Sequence, residues 1–418
     1  MRILQVSESD NIGGAAIASS RLNDLLNGNI SFESKLLVNR KKTNAIGTVF
    51  PTSILHRLYA KLMPHILIKY NKIKFGTSAL TISKNKSSLF FLKSIKDIKF
   101  DILHLHWVNN GFVGLDDLHL INKPLVWTLH DNWLFTGACH STQGCDKFVD
   151  NCYDCPKVNK KKFQDNLERQ FLEKLDKLQK LKDKFNIVVP SQWMYENAKK
   201  SKILSGFKID IIPNFINTNL FVPKNKDDSK EKLGFDKATR YLLFGATDPI
   251  NDSNKGFLYI QQMASRGALD GYTLIIFGKV NDPNGIKLDI PFIIMDSIYD
   301  KNKLAILYNT ADVVIMPSLH ESFGQVAAEA MSCGIPVLCF DTSGLKDVVD
   351  HKINGYRAEL KNVNDLIEGF NWIIGSIDLC TSARLKVVKS FSEEIILKKY
   401  LVFYSNVLKL ENDNDAQE

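Results

Sequence analysis

Two glutamates, Glu321 and Glu329, bracket an expected helix start with seven residues between them. Asp312 to Met316 is a short apolar run with β-branched residues, long enough for a buried strand and too short for a helix. Pro317 stops it, Ser322 reads as an N-cap, and the helix is expected from about Gly324 to Ser332. Gly334 and Pro336 end that helix, and PVLCF is the next strand. A helix start offers unpaired backbone N–H groups and a partial positive charge, so Phe323, Gly324 and Gln325 form a place suited to a phosphate. Lys255, just ahead of Gly256 at the head of another expected helix, supplies a cation for the same purpose.

Three further groups carry chemistry. His130-Asp131 ends the run PLVWTLH, and a histidine at the carboxyl end of a parallel strand sits where open α/β sheets place ligands. His104 and His106, in DILHLHW, read as hydrogen-bonded strand-end histidines. Gly13 and Gly14 follow the first expected strand, Arg2 to Ser7, and either admit a ligand or a second domain close to the backbone or make a tight turn. The pattern G-x-G-x-x-G is absent there, which argues against a nicotinamide dinucleotide. Cys139, Cys145, Cys152 and Cys155 follow as C-x5-C-x6-C-x2-C. Four thiolates at such spacing predict a closed, structural zinc site; reduced free thiols or a redox pair are the alternatives.

These groups punctuate repeating strand–helix units. In the second half the strands are expected at 240–246, 273–278 and 291–295, with a helix from Lys301 to Thr310 leading into the Glu321 segment. In the first half a charged helix, Asp165 to Phe185, precedes a strand, Asn186 to Pro190, and Ser191 caps the next helix. A polar, Pro-containing stretch from about Thr218 to Asp236 reads as a linker. The pattern implies two doubly wound α/β domains, 1–215 and 216–390. A final helix over 391–410 is expected to pack on the first domain, ahead of a polar tail.

Gly13-Gly14, His130-Asp131, Lys255-Gly256, Glu321-x7-Glu329 and Gly334-Ile335-Pro336 occur in the order seen in family 4 glycosyltransferases of the GT-B fold. The chain resembles that family over nearly its whole length. The segment TGACH, GCDKF and C-x2-C-P is similar to a subgroup tied to exopolysaccharide assembly, including colanic-acid-type enzymes. The resemblance implies two Rossmann-like domains facing a cleft, and a retaining transfer from a nucleotide sugar to a saccharide acceptor, which the cysteine loop and the acid-free basic region suggest is lipid-linked. It implies no cofactor or divalent metal for catalysis. By the same matching, Glu329 would bind the ribose hydroxyls, Glu321 the donor sugar and His130 the sugar from the other domain. Gly13-Gly14 would let the diphosphate approach, and the cysteine loop 139–156 would shape the acceptor side. Two departures stand out: GATDPINDSNKG lacks the Arg that many relatives carry before Lys-Gly, and Asp347 stands where they often have Glu. A nucleotide-sugar epimerase, a phosphorylase, or a non-catalytic carbohydrate- or partner-binding protein are the competing readings.

At 418 residues, with 44% apolar and 24% charged residues, the composition is that of an ordinary folded protein of two domains. The net charge of +8 is concentrated. From Ser34 to Lys96 there is no Asp or Glu but thirteen Lys or Arg. Within that region, residues 54 to 75 interleave Arg57, Lys61, Lys69, Lys72 and Lys74 with Leu58, Leu62, Ile66, Leu67, Tyr70 and Ile73. This suits either an anionic membrane surface or a solvated basic face packed on the domain, with Pro64 expected to kink or divide the helix. No helix-turn-helix, zinc-finger or aromatic RNA-binding signature points to nucleic acid. The start MRILQV turns polar at once, and no window nears the roughly 18 apolar residues of a membrane span. The expected place is therefore the cytoplasm, with attachment to the inner face of the membrane if the basic segment 54 to 75 binds it.

Overall fold

The apolar runs of the sequence become strands of two wholly parallel sheets. The computed structural model describes every residue except 44–46, 51–52, 76–82, 84–85, 89, 159–160 and 416–418. The chain divides into one unit of Met1–Ile212 with Leu397–Glu418 and a second of Pro213–Ile396.

The first unit contains β1 (Arg2–Ser9), β2 (Glu33–Arg40), β3 (Thr48–Val49), β4 (Ile102–Leu105), β5 (Leu125–Thr128), β6 (Phe185–Val189) and β7 (Lys208–Ile211). Their spatial order is β3-β2-β1-β4-β5-β6-β7. Every residue of β4, β5 and β6 is buried, as befits strands covered by helices on both faces. Helix α1 (Gly14–Asn27) follows β1 and buries Ala16, Leu22 and Leu26. Helix α2 (Ile54–Phe75) runs unbroken past Pro64, so the proline does not divide it. The inner stripe explains this: His56, Ala60, Met63, Leu67 and Asn71 are buried on both sides of the proline. Tyr59 also donates to the Gly111 carbonyl at 2.9 Å.

The second unit repeats the plan with β8 (Arg240–Gly245), β9 (Tyr272–Phe277), β10 (Phe292–Met295), β11 (Val313–Met316), β12 (Val337–Phe340) and β13 (Gly355–Ala358). The order is β10-β9-β8-β11-β12-β13. One apolar cluster packs on each face of this sheet, Leu243, Ile275 and Val314 belonging to one and Leu242, Leu274 and Ile315 to the other.

In both sheets the order of strands reverses at one place, between β1 and β4 in the first and between β8 and β11 in the second. Loops leaving adjacent strands there go to opposite faces and open a crevice, where ligands of such folds bind.

Two expectations need correction. The stretch Thr218 to Asp236 is not a free linker but part of the second unit. Phe221 is buried, its carbonyl accepts from Ser332 Oγ at 2.6 Å, and Arg384 reaches the Thr218 carbonyl at 2.7 Å. The helix Gln325–Ser332 is capped by Gly324, not Ser322, because the chain enters it through a left-handed residue at φ 102° that makes no side-chain cap bond.

Candidate active site

In the second unit the crevice between β8 and β11 gathers the predicted donor residues. After β8 the chain forms a short turn over Ser253–Lys255, in which the Asp252 side chain accepts from Asn254 N. Gly256 follows at φ 77°, so close to β11's exit that a Cβ there would lie 2.0 Å from the Pro317 carbonyl oxygen. Only glycine permits that approach. The two loops are also stitched together, Leu319 N donating to the Asn254 carbonyl and Asn254 Nδ2 to the His320 carbonyl, both at 2.8 Å.

This stitching brings Lys255 Nζ to 2.8 Å from Glu321 Oε1, with the two side chains 24% and 15% exposed. Burial opposes the Lys255 charge, but the Glu321 carboxylate and its hydrogen bond outweigh it and raise the ammonium above its ordinary value. The loop after β8 therefore carries a cation held in place by Glu321. Behind it, Glu321 N donates to Ser343 Oγ at 2.8 Å and the Glu321 carbonyl accepts from Gly344 N at 2.8 Å. Glu329 is buried, accepting from Tyr308 OH at 2.9 Å and from Gln325 Nε2 at 3.2 Å. Phe323 packs edge-on against Phe391, so this residue offers a ligand its backbone rather than its ring.

In the first unit a cavity of about 550 Å³ lies beside β1 and β4, lined by Glu8, Gly13, Gly14, Arg40, Trp107, His130 and Asp131, and by Pro64, His65, Leu67 and Ile68 of α2. Gly13 sits at φ 83°, and a Cβ on Gly13 or Gly14 would meet nothing within 4 Å. Their backbone thus faces open space, as a close ligand approach requires. Arg40 grips buried Glu8 through two bonds of 2.5 and 2.7 Å. Burial pushes the Glu8 carboxyl up, and the Arg40 guanidinium offsets part of that.

Asp131 accepts from three donors: Trp107 Nε1 at 2.7 Å, His140 Nδ1 at 2.6 Å and Trp133 N at 2.8 Å. Burial alone would raise its carboxyl, but His140 and these N–H groups hold it below the ordinary range. His140 Nε2 in turn meets Ser83 Oγ at 2.7 Å. His130 Nε2 lies 2.9 Å from His106 Nδ1. His104 is a buried structural residue, tied to Tyr404 OH at 2.6 Å and Thr128 Oγ1 at 2.7 Å. His106, by contrast, is the direct partner of the site histidine. Glu8, Trp107 and His140 were not singled out from sequence. Their only signal was a place at or after the carboxyl end of an inner strand.

The zinc expectation falls on Cys139, Cys145, Cys152 and Cys155, all of them free cysteines. Among the described residues no three His, Cys, Asp or Glu side chains are grouped so that they could hold a metal ion. The thiols engage nearby groups instead. Cys139 Sγ donates to the Ser141 carbonyl at 2.7 Å and receives Lys157 Nζ at 3.2 Å, while Cys152 Sγ accepts from Gly137 N at 3.1 Å. Burial pushes Cys152 up to about 12, so with no ion beside it the group is a thiol. Buried Lys174 anchors the neighbouring chain through the Thr136 carbonyl at 2.8 Å and the face of Trp133 at 3.6 Å.

Known proteins carry the same two halves. The family model described as Glycosyltransferase Family 4 matches residues 73–220, and that described as Glycosyl transferases group 1 matches residues 293–384. An uncharacterized glycosyltransferase of Methanocaldococcus jannaschii is 23% identical over 329 residues, 75% of this chain and 77% of that protein. The putative colanic acid biosynthesis glycosyl transferase WcaC of Escherichia coli is 25% identical over 335 residues, 74% and 76% of the two chains. Among solved structures, sucrose-phosphate synthase of Thermosynechococcus elongatus aligns at a TM-score of 0.67 and 18% identity, covering 98% of this chain and 99% of its own. Anabaena HepE, solved with UDP and glucose, aligns at 0.63 and 16%, covering 97% and 100%. With matched segments in both units and parallel-sheet neighbours along its length, the chain belongs to the family 4, group 1 glycosyltransferases of the GT-B fold.

Proposed function

We propose that this glycosyltransferase moves a sugar, with retention, from a nucleotide-diphosphate donor to a saccharide acceptor that is lipid-linked, in surface polysaccharide assembly. The observation that carries the reading is the Lys255–Glu321 pair at the reversal of the second sheet, beside the start of the helix Gln325–Ser332. A departing nucleotide diphosphate gains negative charge as the anomeric C–O bond breaks. A fixed ammonium and a helix start stabilise that charge where it develops. In this reading cationic help comes from the protein, Lys255 being the one basic side chain between Ala246 and Gly256.

In this reading Glu321 binds the donor sugar and Glu329 the ribose hydroxyls, and His130 and Gly13-Gly14 of the first unit keep the roles that the resemblance gives them. The acceptor hydroxyl attacks the anomeric carbon on the face the phosphate leaves, and its proton passes to the departing phosphate oxygen. Support for a nucleotide-sugar donor comes from neighbours solved with UDP or UDP-glucose, and support for polysaccharide assembly from WcaC.

The lipid-linked acceptor and a peripheral place on the inner membrane face draw on α2. Its Leu67 and Ile68 line the cavity of the first unit, while Ile54, Leu55, Leu58, Leu62, Ile66 and Ile73 are 52% to 74% exposed among Arg57, Lys61, Lys69 and Lys72. No helix among the described residues is long and apolar enough to cross a membrane.

A panel of nucleotide sugars scored by thermal shift tests the donor. A ligand that binds only the native state adds about 2.7 kcal/mol of stability at a hundredfold excess over its dissociation constant. One nucleotide sugar should stand out from its free sugar and from mononucleotides. A panel with no shift at any member would contradict the donor assignment.

A further inference from the structure

A chain of hydrogen bonds crosses the first sheet diagonally, stepping two residues toward the carboxyl ends at each strand, and ends on His130. Ser34 is on β2, Gln5 on β1, His106 just beyond β4 and His130 just beyond β5, and these four strands are neighbours in the sheet. Gln5 Nε2 donates to Ser34 Oγ at 2.9 Å, and the Gln5 amide oxygen lies 2.9 Å from His106 Nε2. A carbonyl oxygen only accepts, so His106 must carry a proton on Nε2. His106 is 2% exposed, and its ring stacks on His104 at 4.3 Å between centroids. Burial, with His104 and His130 beside it, keeps its imidazole neutral by pushing its pKa well below the ordinary value. A neutral imidazole with its proton on Nε2 has a lone pair on Nδ1, and 2.9 Å from that lone pair is His130 Nε2. The donor of that bond can only be His130.

We propose that Gln5 and His106 are positioning residues, which hold the His130 ring and fix its proton on Nε2. The inference rests on His130 being a residue of the proposed sugar site. His130 has one N–H in this state, and the protein interior already uses it. Its other nitrogen, Nδ1, is an acceptor and not a donor. The side chain is thereby matched to a partner that donates, as a sugar hydroxyl does, and mismatched to a phosphate oxygen, which only accepts. The orienting groups lie outside every recognisable motif, since Gln5 belongs to a strand interior and His106 to a strand end. An orienting partner on the far nitrogen is how many proteins choose which imidazole nitrogen is protonated.

The test is histidine-nitrogen NMR on the full chain carrying isotope-labelled histidine, with the His130 signals identified by their loss in His130→Gln. The wild type should show a protonated Nε2 and a lone-pair Nδ1 at His130. In Gln5→Leu and His106→Phe the same residue should populate both tautomers, with turnover of the nucleotide sugar down about 10- to 100-fold, the usual effect of removing a group that orients an imidazole. A wild-type His130 protonated on Nδ1 would overturn the proposal even if both variants failed to fold. So would a single unchanged Nε2–H tautomer in folded variants. Mixed tautomers with full turnover would leave the positioning intact and instead remove His130 from the reaction.

Discussion

His104, His106 and His130 are neutral in the folded protein, and this sets a pH dependence that can be measured. Burial lowers His104 to about 3, with His130 adding to the effect. His130 falls to about 4 through burial, partly opposed by Asp131, and His106 lies well below its ordinary value through burial and its two histidine neighbours. All three have an ordinary value of 6.5, so below it the unfolded chain binds protons that the folded chain refuses. Their contribution is present above pH 6.5 and is lost as pH falls toward the folded values, at up to about 1.4 kcal/mol per pH unit for each unbound proton. Urea unfolding should therefore show a midpoint that drops steeply between pH 6.5 and about 4. A midpoint that stays flat across that window would contradict three buried neutral rings. At this scale the sequence named His130 through its place after a strand and its company in the resemblance. It left His106 as an ordinary strand-end residue, because nothing local shows that Gln5, 101 positions away, is its partner.

The elements that position these side chains were unevenly legible. Runs such as RYLLFG and VVIM are continuous and apolar because parallel strands are buried on both faces, and the sequence placed them to within a residue or two. ESKLLVNR was overlooked because charged and polar ends interrupt its apolar centre, yet it pairs with β1 along seven residues. The Thr218–Asp236 stretch looked like a linker because polarity hides Phe221, whose burial depends on helix partners more than a hundred residues away.

Helix α2 was read as amphipathic, and its two faces have separate uses. The buried stripe faces the unit's core, and the exposed apolar positions lie among cations whose partners are not supplied by acids of their own region. Lys84 lies outside the described residues, as does the side chain of Lys74. Reversing Lys69 and Lys72 to Glu should weaken binding to anionic vesicles about 10- to 100-fold, at about 1 kcal/mol for each lysine near the surface. Unchanged binding in a vesicle co-sedimentation assay would return α2 to a solvated face.

At the scale of the whole molecule, each unit is a doubly wound sheet with its candidate site residues at the place where strand order reverses. That rule, applied to the observed topology, points to Lys255 and Glu321 without reference to any relative. The fold class was legible because strand–helix alternation survives in apolar periodicity. Cysteine spacing counts residues along the chain and says nothing of where thiols point, so the zinc expectation is decided by metal analysis of the purified protein. Cys139 and Cys152 point at backbone partners. The missing Arg before Lys255 leaves one ammonium, held charged by Glu321, as the basic side chain of that loop.

The most direct measurement is turnover of the nucleotide sugar that stabilises the protein, followed by release of the nucleoside diphosphate, in the wild type, Lys255→Ala and Glu321→Ala. Loss of a preorganised group that stabilises developing charge lowers turnover by about 100- to 1,000-fold. Both variants should fall at least that far while still unfolding in one cooperative urea transition, at a cost of up to about 3 to 5 kcal/mol because each strands the other member of a largely buried pair. Full turnover in either folded variant would contradict the assignment of the Lys255–Glu321 crevice as the donor site.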